Sequence, residues 1–196
     1  DLLIRLGVPY NSEDAVDIAE NLMRYINERS KAASRELAKK RGPFPAIEKS
    51  IYKGDNIRNA TTTTIAPTGT ISIIAGCSSG IEPLFAISYV RNVMDNDELV
   101  EVHPLFEEIA RERGFYSTKL MKQIAEQGSL ENTNVPEDVK KVFVTAHDIE
   151  PFWHIKMQAA FQRYTDNAVS KTVNFKCDAT REDVSEAFQL AYILGC

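Results

Sequence analysis

The sequence is poor in the features that would assign it quickly. It has three cysteines, Cys77, Cys177 and Cys196, odd in number and with no close pair, which argues against a disulfide framework or a Cys-x-x-Cys zinc site. No apolar run approaches the roughly 20 residues that cross a bilayer, and Asp1-Leu2-Leu3-Ile4-Arg5 lacks the long apolar centre of a signal peptide. Basic residues are not in excess: 23 Lys and Arg stand against 28 Asp and Glu, a net charge of -5, whereas a polynucleotide surface needs clustered cations facing phosphates. The two common nucleotide fingerprints, Gly-x-x-x-x-Gly-Lys-Ser/Thr and Gly-x-Gly-x-x-Gly, are also missing. The expectation is a soluble, cytoplasmic protein of a reducing compartment, with neither membrane nor nucleic-acid polymer as partner.

What is present is an alternation of helical and extended patterns, an α/β arrangement with no low-complexity linker or internal repeat. Asn11 or Ser12 caps a helix with Glu13 and Asp14 in its first turn. Ala15, Ile18, Ala19, Leu22, Tyr25, Ile26, Ala33 and Leu37 form its apolar stripe, and Lys39-Lys40-Arg41 precede a stop at Gly42-Pro43. Strands are expected over 61–66, 84–93 and 168–175. Helices are expected from His103-Pro104 to Arg113, over 117–127, from an Asp148 cap over 151–164, and from Thr180 with Asp183 to about Gly195. Val142-Phe143-Val144 fits either a short strand or a helix end.

The densest signal runs from Asn59 to Pro83. The β-branched stretch Thr61–Ile65 favours a strand, Pro67 and Gly69 break it, and Thr70 and Ser72 open a second segment. A strand that stops at a turn before a helix directs several free backbone N–H groups to one place, with the positive end of the helix dipole behind them. Such a corner suits phosphate, although Pro-Thr-Gly-Thr by itself is an ordinary turn composition.

Other candidate chemistry is weaker. His147, Asp148, Glu150 and His154 could suggest a metal, but a helix starting at Asp148 separates the two histidines by most of two turns, and no metal site is expected. Trp153, Met157, Ala160, Phe161 and Tyr164 read as a packed helix face. Glu82 could be a general base, yet a carboxylate in Gly80-Ile81-Glu82-Pro83 is better placed to accept backbone N–H groups and hold the turn. Cys77 is read as a structural thiol, and Asn167, Ser170 and Asn174 as support for the last strand.

The string from Asn59 to Pro83 resembles the phosphate-loop region of ribonucleotide reductases. Its form Ala-Pro-Thr-Gly-Thr-Ile-Ser-Ile-Ile-Ala-Gly-Cys-Ser-Ser-Gly-Ile-Glu-Pro is similar to the adenosylcobalamin-dependent, class II branch. Arg41–Pro45, Tyr89–Val93, Trp153–Phe161 and Asp166–Phe175 extend the likeness, in the same order, to nearly the whole chain. The resemblance implies the later part of a ten-stranded α/β barrel, a partial barrel that makes residues 1–196 one partial domain.

It also implies reduction of ribonucleoside di- or triphosphates to deoxyribonucleotides by a thiyl radical, with adenosylcobalamin as cofactor and a thiol reductant such as a thioredoxin-like protein. A homodimer is a further expectation. The radical and redox cysteines of that chemistry lie outside this chain, so no catalytic residue is expected in it, and a segment of a longer protein is inferred. The residues expected to bind the substrate's phosphates are Pro67, Thr68, Gly69, Thr70, Ile71 and Ser72, mainly through main-chain N–H groups with hydroxyl help from Thr70 or Ser72. Two alternatives stay open: a segment of a class I large subunit, or a non-catalytic α/β module from a truncated gene.

Overall fold

The computed structural model describes residues 1–93 and 97–196, with the backbone alone at 91–93 and 97–99. Helices dominate. After a short α1 (Leu2–Leu6), Ser12 turns extended and its hydroxyl accepts from the Ala15 N–H at 3.2 Å, capping the 29-residue α2 (Glu13–Arg41). Acids in the first turn and Lys39, Lys40 and Arg41 in the last complement the helix dipole. The buried stripe of α2 is Ala15, Val16, Ala19, Met23, Ser34 and Ala38. Tyr25, Ile26 and Leu37, expected on that stripe, are exposed. The expected line drifts off the packed face because the apolar spacing is not regular over so many turns.

Three further helices are α3 (Gly69–Ala75), α4 (Pro104–Glu112) and α5 (Thr118–Gln127); they are followed by α6 (Glu137–Val142), α7 (Pro151–Gln162) and α8 (Arg181–Leu194). Helix α8 begins as expected, with a reciprocal capping box between Thr180 and Asp183. Asp148 does not cap α7. Its carboxylate accepts instead from Thr145 N and Oγ1, both at 2.8 Å, and the N-cap of α7 is Glu150, without a side-chain bond.

Extended structure is sparse. One antiparallel pair, β1 (Ser88–Val93) with β2 (Asp97–Val102), aligns Ser88 with Val102 and Val93 with Asp97. The sequence reading had no strand over 97–102. The expected strands over 61–66 and 168–175 meet at a single parallel bridge, Ile65 to Val169, and a second parallel bridge joins Leu84 to Thr145. These bridges are the barrel-like part of the fold. The ambiguous 142–144 stretch is the end of α6 leading into the Thr145 bridge.

Two apolar cores hold these pieces. One gathers Leu84, Ile87, Phe106, Met121, Ile124 and Phe143 between the β pair and α4–α6; the other sets Tyr10, Ala15, Val16 and Ala19 against Met157 and Ala160 of α7. The helical stripe read from Trp153 to Tyr164 is therefore packing surface, with Met157 and Ala160 nearly inaccessible.

Candidate functional site

The loop from Pro67 to Ser72 hangs from an extended limb that is fixed to the 163–170 stretch. Asn167 N–H donates to Thr63 O at 3.2 Å, Ile65 N–H to Ala168 O at 3.4 Å and Ser170 N–H to Ile65 O at 2.9 Å. Asn167 and Ser170 thus support the limb through their backbone. Asp166 adds a side-chain anchor: its Oδ2 accepts from Thr62 N (2.6 Å), Thr62 Oγ1 (3.1 Å) and Lys31 Nζ (2.7 Å).

Beyond Ala66 the chain turns sharply. Thr68 adopts φ 55° and ψ 22°, the left-handed region that β-branched residues rarely enter. Gly69, expected to be the residue that permits the turn, has no positive φ, and a Cβ there would meet nothing within 4 Å. The turn's unusual conformation is held by neighbours: Ser79 Oγ donates to Pro67 O at 2.5 Å and lies 3.3 Å from Thr68 Oγ1. Gly80 lies alongside at φ 52°, where a Cβ would stand 3.4 Å from Ala66 O. That distance is ordinary contact, so it is the positive φ that favours glycine here.

Helix α3 starts at once. Ser72 N–H closes on Thr68 O at 2.9 Å, so the N–H groups of Gly69, Thr70 and Ile71 are the first three of the helix and have no acceptor among the described residues. Gly69, Thr70 and Ile71 are exposed. Pro67 has no N–H and shapes the turn. Ser72 departs from expectation: it is buried and its hydroxyl donates to Gly69 O at 2.8 Å, which leaves Thr70 as the exposed hydroxyl of the pair. Cys77 is exposed and follows Gly76, which ends α3.

The outgoing limb, Gly80 to Pro83, carries a charged cluster that the sequence reading divided among separate residues. Lys171 has a fully buried side chain, and its ammonium donates to Glu82 Oε2 at 2.7 Å, to Thr172 O, and to His154 Nδ1 at 2.8 Å. Glu82 Oε1 accepts the Thr172 N–H at 2.7 Å. Glu82 therefore ties backbone to backbone. His154 Nε2 lies 3.2 Å from Ala146 O, so the ring is the neutral tautomer that donates there and accepts from Lys171. Burial, followed by the Lys171 charge, lowers His154 to about 4. Burial also lowers Lys171, against the opposing pull of Glu82, and raises Tyr10, whose hydroxyl donates to Ile81 O at 2.8 Å. Lysine in a strand-like run and glutamate between Ile81 and Pro83 were the available signals, because a charge in an apolar segment needs a partner.

The residues weighed for a metal do not converge. His154 is enclosed, Asp148 holds its own turn, and His147 packs edge-on against Phe85 at 5.7 Å. A cavity of about 680 Å³ lies beside the loop, lined in part by Ser72, Gly76, Ser79, Glu82, Thr172 and Asn174.

The described fold is helix-rich, with one antiparallel strand pair and two isolated parallel bridges, an α/β arrangement consistent with part of a barrel. The model of the ribonucleotide reductase barrel domain matches residues 1–57 and 52–196, and the chain belongs to that family. It is 58% identical over 198 residues to a vitamin B12-dependent ribonucleoside-diphosphate reductase of Thermoplasma acidophilum, covering 100% of this chain and 26% of the relative. It is 46% identical over 194 residues to the protein of that name from Mycobacterium tuberculosis, covering 98% and 28%. The class Id ribonucleotide reductase alpha subunit of Actinobacillus ureae has the same architecture, with a TM-score of 0.83 at 26% identity over 98% of this chain and 35% of that one. The chain thus spans about a quarter to a third of the length of these proteins.

Proposed function

We propose that this chain is the phosphate-holding portion of a class II ribonucleotide reductase, and that Pro67, Thr68, Gly69, Thr70, Ile71 and Ser72 form the cradle. The observation that carries this reading is the set of adjacent, solvent-facing N–H groups at Gly69, Thr70 and Ile71, presented by a turn that its neighbours hold in place. Phosphate oxygens accept such donors well, and the short helix adds its dipole. Thr70 supplies the hydroxyl. Pro67, Thr68 and Ser72 shape the cradle without contributing a side-chain donor to the ligand.

In the whole protein the substrate is a ribonucleoside di- or triphosphate and the reaction its reduction to the 2′-deoxyribonucleotide, with a thiol reductant closing the cycle. The name shared by the relatives at 58% and 46% identity supports a B12-dependent enzyme over a class I large subunit; a putative large subunit from frog virus 3 is 26% identical. Adenosylcobalamin, when bound, supplies the initiating radical chemistry. The free N–H groups of Gly69 to Ile71 are the reason this chain is assigned to the substrate's phosphates. No residue of it is given a catalytic role. Residues 1–196 are read as one partial domain, and no helix among the described residues is long and apolar enough to cross a membrane.

The test is calorimetric affinity of the whole protein for a nucleoside diphosphate and for the bare nucleoside. Gly69→Val fills the approach to the N–H groups and is expected to weaken the diphosphate by about a hundredfold, at roughly 1.5 to 3 kcal/mol for each charge-assisted bond misplaced. Thr68→Ala leaves the main-chain donors in position and is expected to do much less. Equal weakening of both ligands by Gly69→Val would refute the cradle.

A further inference from the structure

The phosphate loop has two limbs, and both are fastened to one short stretch of chain. The incoming limb meets Asp166 through Thr62, and the outgoing limb meets Lys171 and Thr172 through Glu82. The two fastenings differ in kind. The Asp166 and Lys31 side chains keep a little exposure, 13% and 11%, whereas Lys171 has no exposed side-chain surface at all.

A fully buried ammonium is costly unless each of its donors finds an acceptor. Lys171 has three N–H groups and three acceptors: Glu82 on the outgoing limb, Thr172 O beside it in the chain and His154 on α7. Tyr10, from the turn before α2, donates to Ile81 O and lies with its ring centroid 6.4 Å from that of His154. Residues 81 and 82 are therefore held from both sides. Just upstream, Ser79 is the group that braces Pro67 and Thr68. The path from the ammonium to the left-handed turn is continuous and short.

We propose that Lys171 is a positioning residue for the phosphate loop: through Glu82 it fixes the outgoing limb, and so the Ser79 brace that keeps Thr68 left-handed and the N–H groups of Gly69 to Ile71 aligned. The inference rests on the cradle reading for its effect on ligands, while the mechanical link can be measured without any ligand. Packing alone does not explain the arrangement. A methionine would fill the same volume, yet it would release Glu82 and leave His154 Nδ1 without a donor.

Lys171→Met in the whole protein separates the possibilities. Hydrogen exchange read by mass spectrometry is expected to speed up at least tenfold for amides between Thr68 and Glu82, with the α4–α5 core unchanged. Affinity for a nucleoside diphosphate is expected to fall at least tenfold, and that for the bare nucleoside by less than twofold. Histidine-labelled NMR is expected to show His154 titrating above its value of about 4. The double variant Glu82→Gln/Lys171→Met leaves no lone buried charge. It is expected to lose no more than Lys171→Met alone, as groups acting through one link do, and it gives the same exchange readout should the single variant not fold. Exchange in the loop unchanged from wild type would overturn the proposal, as would equal loss of both ligands. If the wild type does not prefer diphosphate over nucleoside while Lys171→Met still loosens the loop, the link stands and the cradle reading falls.

Discussion

Lys31 Nζ lies 2.7 Å from Asp166 Oδ2, with side chains only 11% and 13% exposed. The pair joins the middle of α2 to the root of the loop, because the same oxygen also takes the N–H and hydroxyl of Thr62. Lys31 reaches Tyr52 as well, at 3.0 Å from its hydroxyl. Removing one member of such a shielded pair leaves the other uncompensated, which costs far more than breaking an ion pair on the surface.

Asp166→Asn is accordingly expected to lower stability by about 3 kcal/mol. The pH dependence has a definite sign. Burial pushes the Asp166 carboxyl upward, but the Lys31 and Thr62 donors outweigh it and hold the group below the ordinary carboxylate value of 3.8. Its contribution is present above the unfolded pKa and is lost as pH falls through the lower, folded one. Lys31 is raised above 10.5, burial being outweighed by Asp166 and Tyr52, so its share is lost only in strong alkali. Denaturant titrations of wild type and Asp166→Asn should diverge at neutral pH and approach one another below about pH 4.

Gly69 and Gly76 offer a paired test in which stability and affinity move apart. A Cβ meets open space at both, but only Gly76 has a positive φ, at 63°. Gly69→Ala, at the first position of α3, is expected to raise stability by about 0.5 kcal/mol by narrowing the unfolded ensemble. It should nonetheless weaken diphosphate binding at least tenfold. Gly76→Ala is expected to cost about 1 kcal/mol and to leave the ratio of diphosphate to nucleoside affinity near its wild-type value. A Gly69→Ala protein that binds diphosphate normally would show that no ligand approaches that backbone.

Local rules were legible wherever a few neighbouring residues decide the outcome. Ser12, the Thr180–Asp183 box and the helix face from Met157 to Ala160 all sit as their spacing indicates. The loop's position between an extended limb and a helix was legible too, since Pro67 must end one segment and Thr70 to Ser72 can open the next. Tertiary pairing was not. Residues 168–175 have strand composition, but among them only Val169 forms a bridge, because the ladder depends on a neighbouring strand and not on β propensity. The left-handed residue is Thr68 rather than Gly69 for a similar reason: Ser79, eleven positions downstream, holds the turn. Lys171 and Glu82 lie 89 positions apart, and nothing in either local segment announces the other.

Ser12→Ala tests whether the cap of α2 acts locally. Loss of the hydroxyl that accepts the Ala15 N–H is expected to cost about 1 kcal/mol. Since α2 is long and packed on α7, the loss should appear as fraying of the first turn, with roughly fivefold faster exchange near Glu13 to Val16. Amides around Ser34 and Ala38 should be unaffected.

His154 carries the sharpest pH prediction. Its ring is fully buried, and burial together with the Lys171 ammonium brings it from 6.5 to about 4. An unfolded chain takes up a proton on this imidazole near pH 6.5, whereas the folded one resists until about 4. A depressed histidine therefore gives stability that is complete above pH 6.5 and is withdrawn steadily between 6.5 and 4, by about 3 kcal/mol in all. Ala146 O, Glu82 and Ile149 favour the charged ring, but burial and the Lys171 charge outweigh them, so the sign stands. His154→Gln keeps a side chain able to bond Ala146 O or Lys171 but does not titrate. Denaturant unfolding of the whole protein, followed by exchange at α7 amides from pH 7 to pH 4.5, should show a falling limb in wild type and a flatter one in His154→Gln. If both fall with the same slope, His154 binds its proton as readily folded as unfolded, and Lys171 is not donating to its ring.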